Sequence, residues 1–296
     1  MEWLSHLFAV YGSVVNFIGI NALLALSLYV TLSAGQLSLG NAAFAGIGGY
    51  TAGILTMTCN VPYLLSIAAG SLLAGVVAVF IGLPVLRLRG VFLAMATLGF
   101  GEVVRIAAIN LTITGGALGL VGIPNKTTTW FIYLVLLATA FFVARLRRST
   151  IGWSFESIRE DETAASTMGI DTTFCKTLAF TIGAMIAGLA GAMYAHLNFM
   201  IMPGEFGFSA AVQLLTFCVV GGTRSWCGPL LGAVLLTALP EVLRGIGIAA
   251  GPVRMAVNGV ILLVIILFLP NGLVSLFGGR KTAPANGPAR NLPEGA

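Results

Sequence analysis

The chain has 296 residues, 58% of them hydrophobic and only 8% charged, with a mean hydropathy of +1.00. Soluble globular domains carry about 25% charged residues, so this chain cannot surround itself with a water-facing shell, and lipid must be the solvent for most of it. The formal net charge of +5 does not indicate nucleic acid, because the basic residues sit at the ends of apolar runs and in the tail, where the positive-inside rule places them.

A helix needs about 20 apolar residues to cross roughly 30 Å of hydrocarbon. Backbone amides in lipid must be satisfied internally, which leaves helices or a closed barrel. Continuous apolar runs, rather than ten-residue alternation, select helices. In chain order the runs are 14–32, 41–57, 63–86, 91–110, 129–144, 177–199, 207–222, 229–248 and 252–269. They predict an all-α, polytopic integral membrane helical bundle of about nine (8–10) transmembrane helices within residues 1–279. The second and seventh runs are short and glycine-rich, so each is a candidate re-entrant or broken helix. Residues 1–16 lack a basic n-region, and the first run is expected to be a permanent span rather than a cleaved signal. Residues 280–296, rich in Pro, Gly, Ala and Asn, predict a disordered tail.

If nine spans alternate, Arg87, Arg89, residues 145–176, Arg224, Arg280 and Lys281 share one side, which should be the cytoplasm. Glu2, Lys126 and Glu205 fall on the other, with Arg244 and Arg254 as partial exceptions near span ends. The N-terminus is then outside and the C-terminus inside.

Residues 145–176 form a polar island holding ten of the chain's 25 formal charges: Arg145, Arg147, Arg148, Glu156, Arg159, Glu160, Asp161, Glu162, Asp171 and Lys176. The spacing predicts a short helix over 156–168, with Ser154 as N-cap and Gly169 as its stop. Ala164 and Ala165 would give it a smooth face, and Arg159, Glu160, Asp161 and Glu162 a charged one. An ordinary connection between helices is much shorter. A docking surface for something outside the membrane is therefore favoured over a merely solvated helix.

Within the spans, Glu102 and Arg105 stand three residues apart, a spacing repeated by Glu241 and Arg244. Such pairing lowers the cost of charge in lipid. It serves either as structural pairing near the interface or as a lining for a substrate path, and the repeat is a faint sign of two related halves. Gln36, Ser38 and Asn41, in the interruption 33–41, and Thr114, Gly115 and Gly116, in the glycine-rich 114–124, are the other substrate-path candidates. Broken helices there can offer backbone N–H groups to an anionic carboxylate, the alternative in each case being a flexible turn. Small residues recur every four positions at Ala184, Gly188 and Ala192, at Ala45, Gly49 and Gly53, and at Gly228 and Gly232, which predicts close helix packing. His196 reads as a packing or interfacial residue before a proton relay. Cys59, Cys175, Cys218 and Cys227 show no metal-ligand spacing and are expected to pack as small apolar residues. The sequence has no phosphate-cradling G-x-x-x-x-G-K-[ST], no H-E-x-x-H and no G-x-S-x-G. No enzymatic site is expected, and any ATP used must be bound elsewhere.

Six segments carry a family resemblance: G-Q-L-S-L-G-N-A-A-F at 35–44, T-L-G-F-G-E-V-V-R at 97–105, T-G-G-x-x-G-L-x-G-I-P at 114–124, I-R-E-D-E-x-A-A-x-x-M-G-I at 158–170, A-G-L-A-G-A-M-Y-A-H at 187–196 and G-P-L-L-G-A at 228–233. In this order and over nearly all of the chain before the tail, they resemble the LivM-type permease subunits of bacterial ABC importers for branched-chain amino acids. The resemblance implies an ABC importer permease fold in the bacterial inner membrane, where the orientation read from Lys and Arg makes the N-terminus periplasmic and the C-terminus cytoplasmic. It implies a second, LivH-like permease, two cytosolic ATPases that bind the ATP, a periplasmic substrate-binding protein, and no cofactor or metal of the chain's own. The 159–169 segment would be the coupling helix, with Glu156, Arg159, Glu160, Asp161, Glu162, Ala164, Ala165 and Gly169 at the ATPase contact, and transport would run by alternating access. Arg224 departs from the pattern, standing where relatives place a small residue before G-P. Urea, short amides or aromatic acids are alternative solutes within that class. An ion-coupled secondary transporter is the rival outside it, with Glu102 as its carboxylate.

Overall fold

The computed structural model describes residues 2–223 and 225–245, together with Gly259 and Gly272. The expected ninth span at 252–269, the end of the eighth, Arg224 and the tail 280–296 lie outside the described residues, as do the side chains of Glu241 and Arg244.

Ten helices follow one another among the described residues: α1 (Glu2–Ser33), α2 (Asn41–Thr58), α3 (Tyr63–Val85), α4 (Val91–Asn110), α5 (Thr129–Arg147), α6 (Thr150–Glu160), α7 (Glu162–Thr167), α8 (Thr172–Asn198), α9 (Phe208–Gly221) and α10 (Cys227–Gly245). Five stretches are long and apolar enough to cross a membrane: Gly12–Ser33 of α1, and α3, α4, α5 and α8. α9 and the Cys227–Pro240 part of α10 are shorter apolar helices. Both glycine-rich runs flagged as breakable turn out to be continuous helices, α2 and α9. The irregular backbone lies instead just before α9.

The centre of the bundle is α8 laid along α2, α3 and α1, and glycine sets how close they come. A Cβ on Gly48 would run into the backbone of Gly188, one on Gly191 into the carbonyl of Ala45, and one on Gly70 into the carbonyl of Gly48. Lipid supplies no hydrophobic force to pair helices, so this backbone-to-backbone approach, with its dispersion contacts, is what holds the seam. The expected stripes through Gly188 and Gly49 lie in it. Gly232 meets the carbonyl of Phe217 in the same manner, joining α10 to α9. Phe44 and Phe180 fill the space beside the seam, edge to face at 5.3 Å.

Besides the helices there is, among the described residues, one two-stranded antiparallel ladder, β1 (Leu120–Val121) with β2 (Met200–Ile201), pairing Leu120 with Ile201 and Val121 with Met200. The glycines of 114–124 exist for this pairing. Gly115, Gly116, Gly119 and Gly122 all take positive φ, and a Cβ on Gly119 would strike the Ile201 carbonyl. From β2 the chain descends along α2 through a 3-10 turn, Pro203–Phe206. Gly53 faces Leu120 and Ile123, Gly49 faces Ile201, and Gly46 faces Phe206. At 1.5 Å per helical residue the drop from the level of Gly49, where β2 lies, to that of Gly46 is about 4.5 Å. α9 thus begins deep inside the bundle, which explains how 14 residues suffice for it.

The 3-10 turn, β1 and β2 approach α2 from one end. Gly35, Arg89, Thr223 and the polar island collect at the other, tied by Arg159 and Glu162. This grouping is the one expected from the distribution of Lys and Arg.

Candidate functional site

The polar island folds as two helices joined at an elbow, where the sequence predicts one over 156–168. α6 starts six residues earlier than expected, at Thr150. Ser149, not Ser154, is its N-cap, its Oγ accepting from the Gly152 N–H at 3.3 Å. The helix cannot continue through Asp161, whose φ of −152° and ψ of 109° are extended. Its Oδ1 accepts the N–H groups of Thr163 at 2.8 Å and Ala164 at 3.0 Å, so a residue assigned to a charged face is the N-cap of α7. Gly169, at φ +85°, ends that short helix as expected.

Side-chain packing fastens the elbow to the bundle. Phe155, Ile158 and Ala165 turn inward onto Ala34, Cys175 and Ala179. Of the two alanines expected to form a smooth outer face, only Ala164 is exposed, while Ala165 is 4% accessible. Two charged side chains hold the edges. Glu162 accepts from Lys176 Nζ at 2.6 Å and lies 3.5 Å from Arg89 Nε, so it joins α7 to α8 and to the α3–α4 turn. Lys176 is 9% accessible, and its charge is compensated by this single carboxylate among the described residues. Arg159 donates to Thr223 O at 3.1 Å and Thr223 Oγ1 at 3.2 Å. Its backbone also packs on Gly35, where a Cβ would sit 3.1 Å from the Arg159 Cα. What remains outward is Trp153 at 67% and Met168 at 83% accessibility, beside the exposed Glu156 and Glu160. A groove of about 320 Å³ lined by Arg147, Arg148, Trp153, Glu156 and Trp226 opens next to them.

The 34–40 segment lies against this elbow through the Gly35 contact. Ser38 Oγ accepts from the Gly40 N–H at 3.2 Å, Thr97 Oγ1 accepts from the Leu39 N–H at 3.0 Å, and Asn41 Nδ2 donates to Ser27 Oγ at 3.1 Å. Ser38 and Asn41 are therefore occupied in holding the turn closed between α1, α2 and α4. Gln36 is different: it is 1% accessible, and among the described residues neither its Oε1 nor its Nε2 has a hydrogen-bond partner. A buried amide left unmade in this way costs free energy.

Glu102 and Arg105 pair as expected, at 2.7 Å and about one-third accessible, on α4 beside Gly207. Thr114 Oγ1 is turned to its own chain, at 2.6 Å from Ala108 O and 2.7 Å from Leu111 O, and Gly115 and Gly116 shape the turn into β1. These six substrate-path candidates and Gly115 and Gly116 thus do not form one cluster. Gln36, Ser38 and Asn41 belong to the island end, Thr114 to the opposite end, and Glu102 with Arg105 to the level of Gly207. His196, buried, meets Thr56 Oγ1 at 2.9 Å and Ala192 O at 2.8 Å, which is the packing role read from the sequence.

The structure adds a group that the sequence reading did not assemble. Between α1, α2, α8, the 3-10 turn and α9 lies a cavity of about 210 Å³. Its polar lining is Asn21, Tyr194, Glu205 and Gln213, drawn from four elements, and the remainder is mostly aromatic and aliphatic. Tyr194 donates to Glu205 Oε1 at 2.9 Å. Sequence reasoning placed Glu205 at an outer loop, and only the descent of 199–207 along α2 brings it to this depth.

Comparison with known proteins places these features. Residues 10–267 match the family described as branched-chain amino acid transport system, permease component. The high-affinity branched-chain amino acid transport system permease protein LivM of Escherichia coli (strain K12) is 33% identical over 288 residues, spanning 86% of this chain and 67% of that protein. LivH of the same organism, the permease protein of the same description, is 30% identical over 150 residues, spanning 50% and 47%. The autoinducer 2 import system permease protein LsrC of Yersinia enterocolitica is 26% identical over 225 residues, spanning 70% and 56%. No solved structure matches.

Proposed function

The chain belongs to the permease component family of branched-chain amino acid transport systems, and from that premise we propose that it is one permease subunit of an ATP-driven importer of these amino acids in the bacterial inner membrane. It pairs with a second, LivH-like permease, receives solute from a periplasmic binding protein, and is driven by two cytosolic ATPases that bind and hydrolyse the ATP. The island end faces the cytoplasm and the β1–β2 end the periplasm, with the N-terminus periplasmic and the C-terminus cytoplasmic. The higher identity to LivM than to LsrC supports amino acids over autoinducer 2 as the class of solute.

One observation carries the coupling part of this reading: the α6–α7 elbow is anchored at three points yet leaves Trp153, Glu156, Glu160 and Met168 bare. Apolar and acidic side chains held rigidly at the membrane surface suit a protein partner. The anchors run to Thr223 between α9 and α10, to Lys176 on α8 and to Gly35 between α1 and α2. A push on the elbow reaches the spans through those contacts, and alternating access requires that it favour one arrangement of them over another. Arg159 is already engaged internally, so charge reversal there would damage the fold as well as the docking. Glu160→Arg with Met168→Glu is the cleaner test. In proteoliposomes containing the assembled importer, this double variant inserts normally and loses the ATP hydrolysis stimulated by loaded binding protein. Unchanged stimulation would remove the elbow from the coupling role.

A further inference from the structure

We propose that the cavity around Glu205 is the place where the solute rests during passage, with the Glu205 carboxylate taking the solute's ammonium group. The inference rests on the amino acid importer reading and adds a location and an anchor to it. The cavity sits at the depth of Gly46 on α2 and of Asn21, twelve residues before the end of α1, well inside both helices. Glu205 is the one carboxylate lining it among the described residues. It accepts from Tyr194 Oη at 2.9 Å and from the Met202 N–H at 3.3 Å, and it has no ion-pair partner among the described residues. Glu205 is exposed, and a carboxylate at such a depth usually faces a path for polar solute. Here two neutral donors fix its position while its charge stays uncompensated. A cation entering the cavity supplies what is missing.

The rest of the lining says which cation. A hard metal ion needs roughly six or more oxygen ligands, and this cavity offers a single carboxylate against Phe17, Phe206, Leu214 and Phe217. An ammonium group carrying an aliphatic chain fits both halves: three N–H donors for the Glu205 and Tyr194 oxygens, and apolar walls for the chain. The exposed Gln213 amide is the available donor for a carboxylate on the same molecule. The volume, about 210 Å³, is below the ~300–1,000 Å³ of pockets that enclose drug-sized ligands and favours a solute no larger than a single amino acid.

The test uses the complete importer in proteoliposomes, with leucine-loaded binding protein outside and ATP inside. Glu205→Gln lowers the maximal rate of leucine uptake at least tenfold while stimulated ATP hydrolysis persists, so the motor runs without carrying its load. Glu205→Asp recovers part of the rate, and Tyr194→Phe costs about threefold. Ala210→Phe, which fills the cavity from α9 and leaves the carboxylate in the sequence, also stops uptake in a complex that still co-purifies with its partners. Should Glu205→Gln fail to assemble, Glu205→Asp and Ala210→Phe decide the matter. Leucine uptake at the wild-type rate by assembled variants overturns the inference and leaves the importer reading standing. A wild-type complex that hydrolyses ATP and carries no branched-chain amino acid overturns both.

Discussion

The α2–α3–α8 seam and the α6–α7 elbow are held in opposite ways. In the seam, backbone meets backbone: Gly48 on Gly188, Gly70 on Gly48, Gly191 on Ala45. At these three contacts no side chain stands between the helices, and none can be inserted. In the elbow, glycine meets backbone only at the margins, Gly152 on the last carbonyls of α5 and Gly35 on Arg159, and the other contacts are a few inward side chains, one arginine bonded to a turn and one carboxylate shared by two cations. The seam is fixed in register. The elbow is fastened at discrete points. A machine that must transmit movement without losing its shape needs both constructions, and this chain places the fixed one in lipid and the fastened one at its surface.

If that contrast holds, substitutions should separate the two regions by what they take from folding stability. The largest loss belongs to the seam. Gly191→Val drives a branched side chain into the Ala45 carbonyl, and neither backbone can retreat without opening the α2–α8 contact. The expected loss exceeds ~3 kcal/mol, the upper end of ordinary overpacking. It appears as failure to accumulate in the membrane or as a collapsed melting temperature in detergent. Gly169→Ala at the elbow makes a control, because no heavy atom lies within 4 Å of the added methyl and its cost is confined to backbone strain at φ +85°.

Next comes the Glu162 fastening. Glu162→Gln leaves the Lys176 ammonium, 9% accessible, without a counter-charge, at a cost of about 2 kcal/mol in melting experiments. Lys176→Met added to it should restore most of that loss, since replacing a buried pair by apolar groups is often neutral. A double variant no better than the single one would mean that Glu162 acts through Arg89, at 3.5 Å. Thr97→Val is smaller again. It removes the acceptor for the Leu39 N–H and should cost about 1 kcal/mol, loosening the 34–40 turn on which Arg159 rests.

These two constructions were unequally legible in the sequence. Small residues at four-residue spacing announce close packing because only Gly and Ala permit it, so the stripes through Gly188 and Gly49 named the seam in advance. The elbow's composition was equally visible, but its break at Asp161 was not. Glu156 to Met168 satisfies helical propensity throughout, and the extended backbone at Asp161 follows from the inward anchoring of Ile158 and Ala165, a tertiary demand. The Glu205 cavity was hidden for a related reason. Asn21, Tyr194, Glu205 and Gln213 lie on four elements with no common spacing, and Glu205 reads as an outer-loop residue until the descent along Gly53, Gly49 and Gly46 is known. The available signal was the combination of a short seventh apolar run, 207–222, with a Pro-Gly pair just before it. A span too short to cross must start part-way through the bilayer, and the chain before it must come down to meet it.

The smallest stability effect is expected where the functional one is greatest. Trp153, Glu160 and Met168 touch little of their own chain, and surface substitutions of that kind usually shift folding by no more than ~0.5 kcal/mol. Trp153→Ala should therefore leave the melting temperature within a degree or two of the wild type, as should Glu160→Arg with Met168→Glu. A measured loss approaching that of Glu162→Gln would show that these side chains support the fold, and the contrast between fixed seam and open elbow would have to be redrawn. With stability unchanged, any fall in stimulated ATP hydrolysis reports contact with the partner alone. Trp153→Ala should lower it less than the charge-reversed double variant, because truncation removes a contact whereas reversal also repels. That ordering, read in one preparation against one melting curve, distinguishes a docking surface from a face that is merely wet.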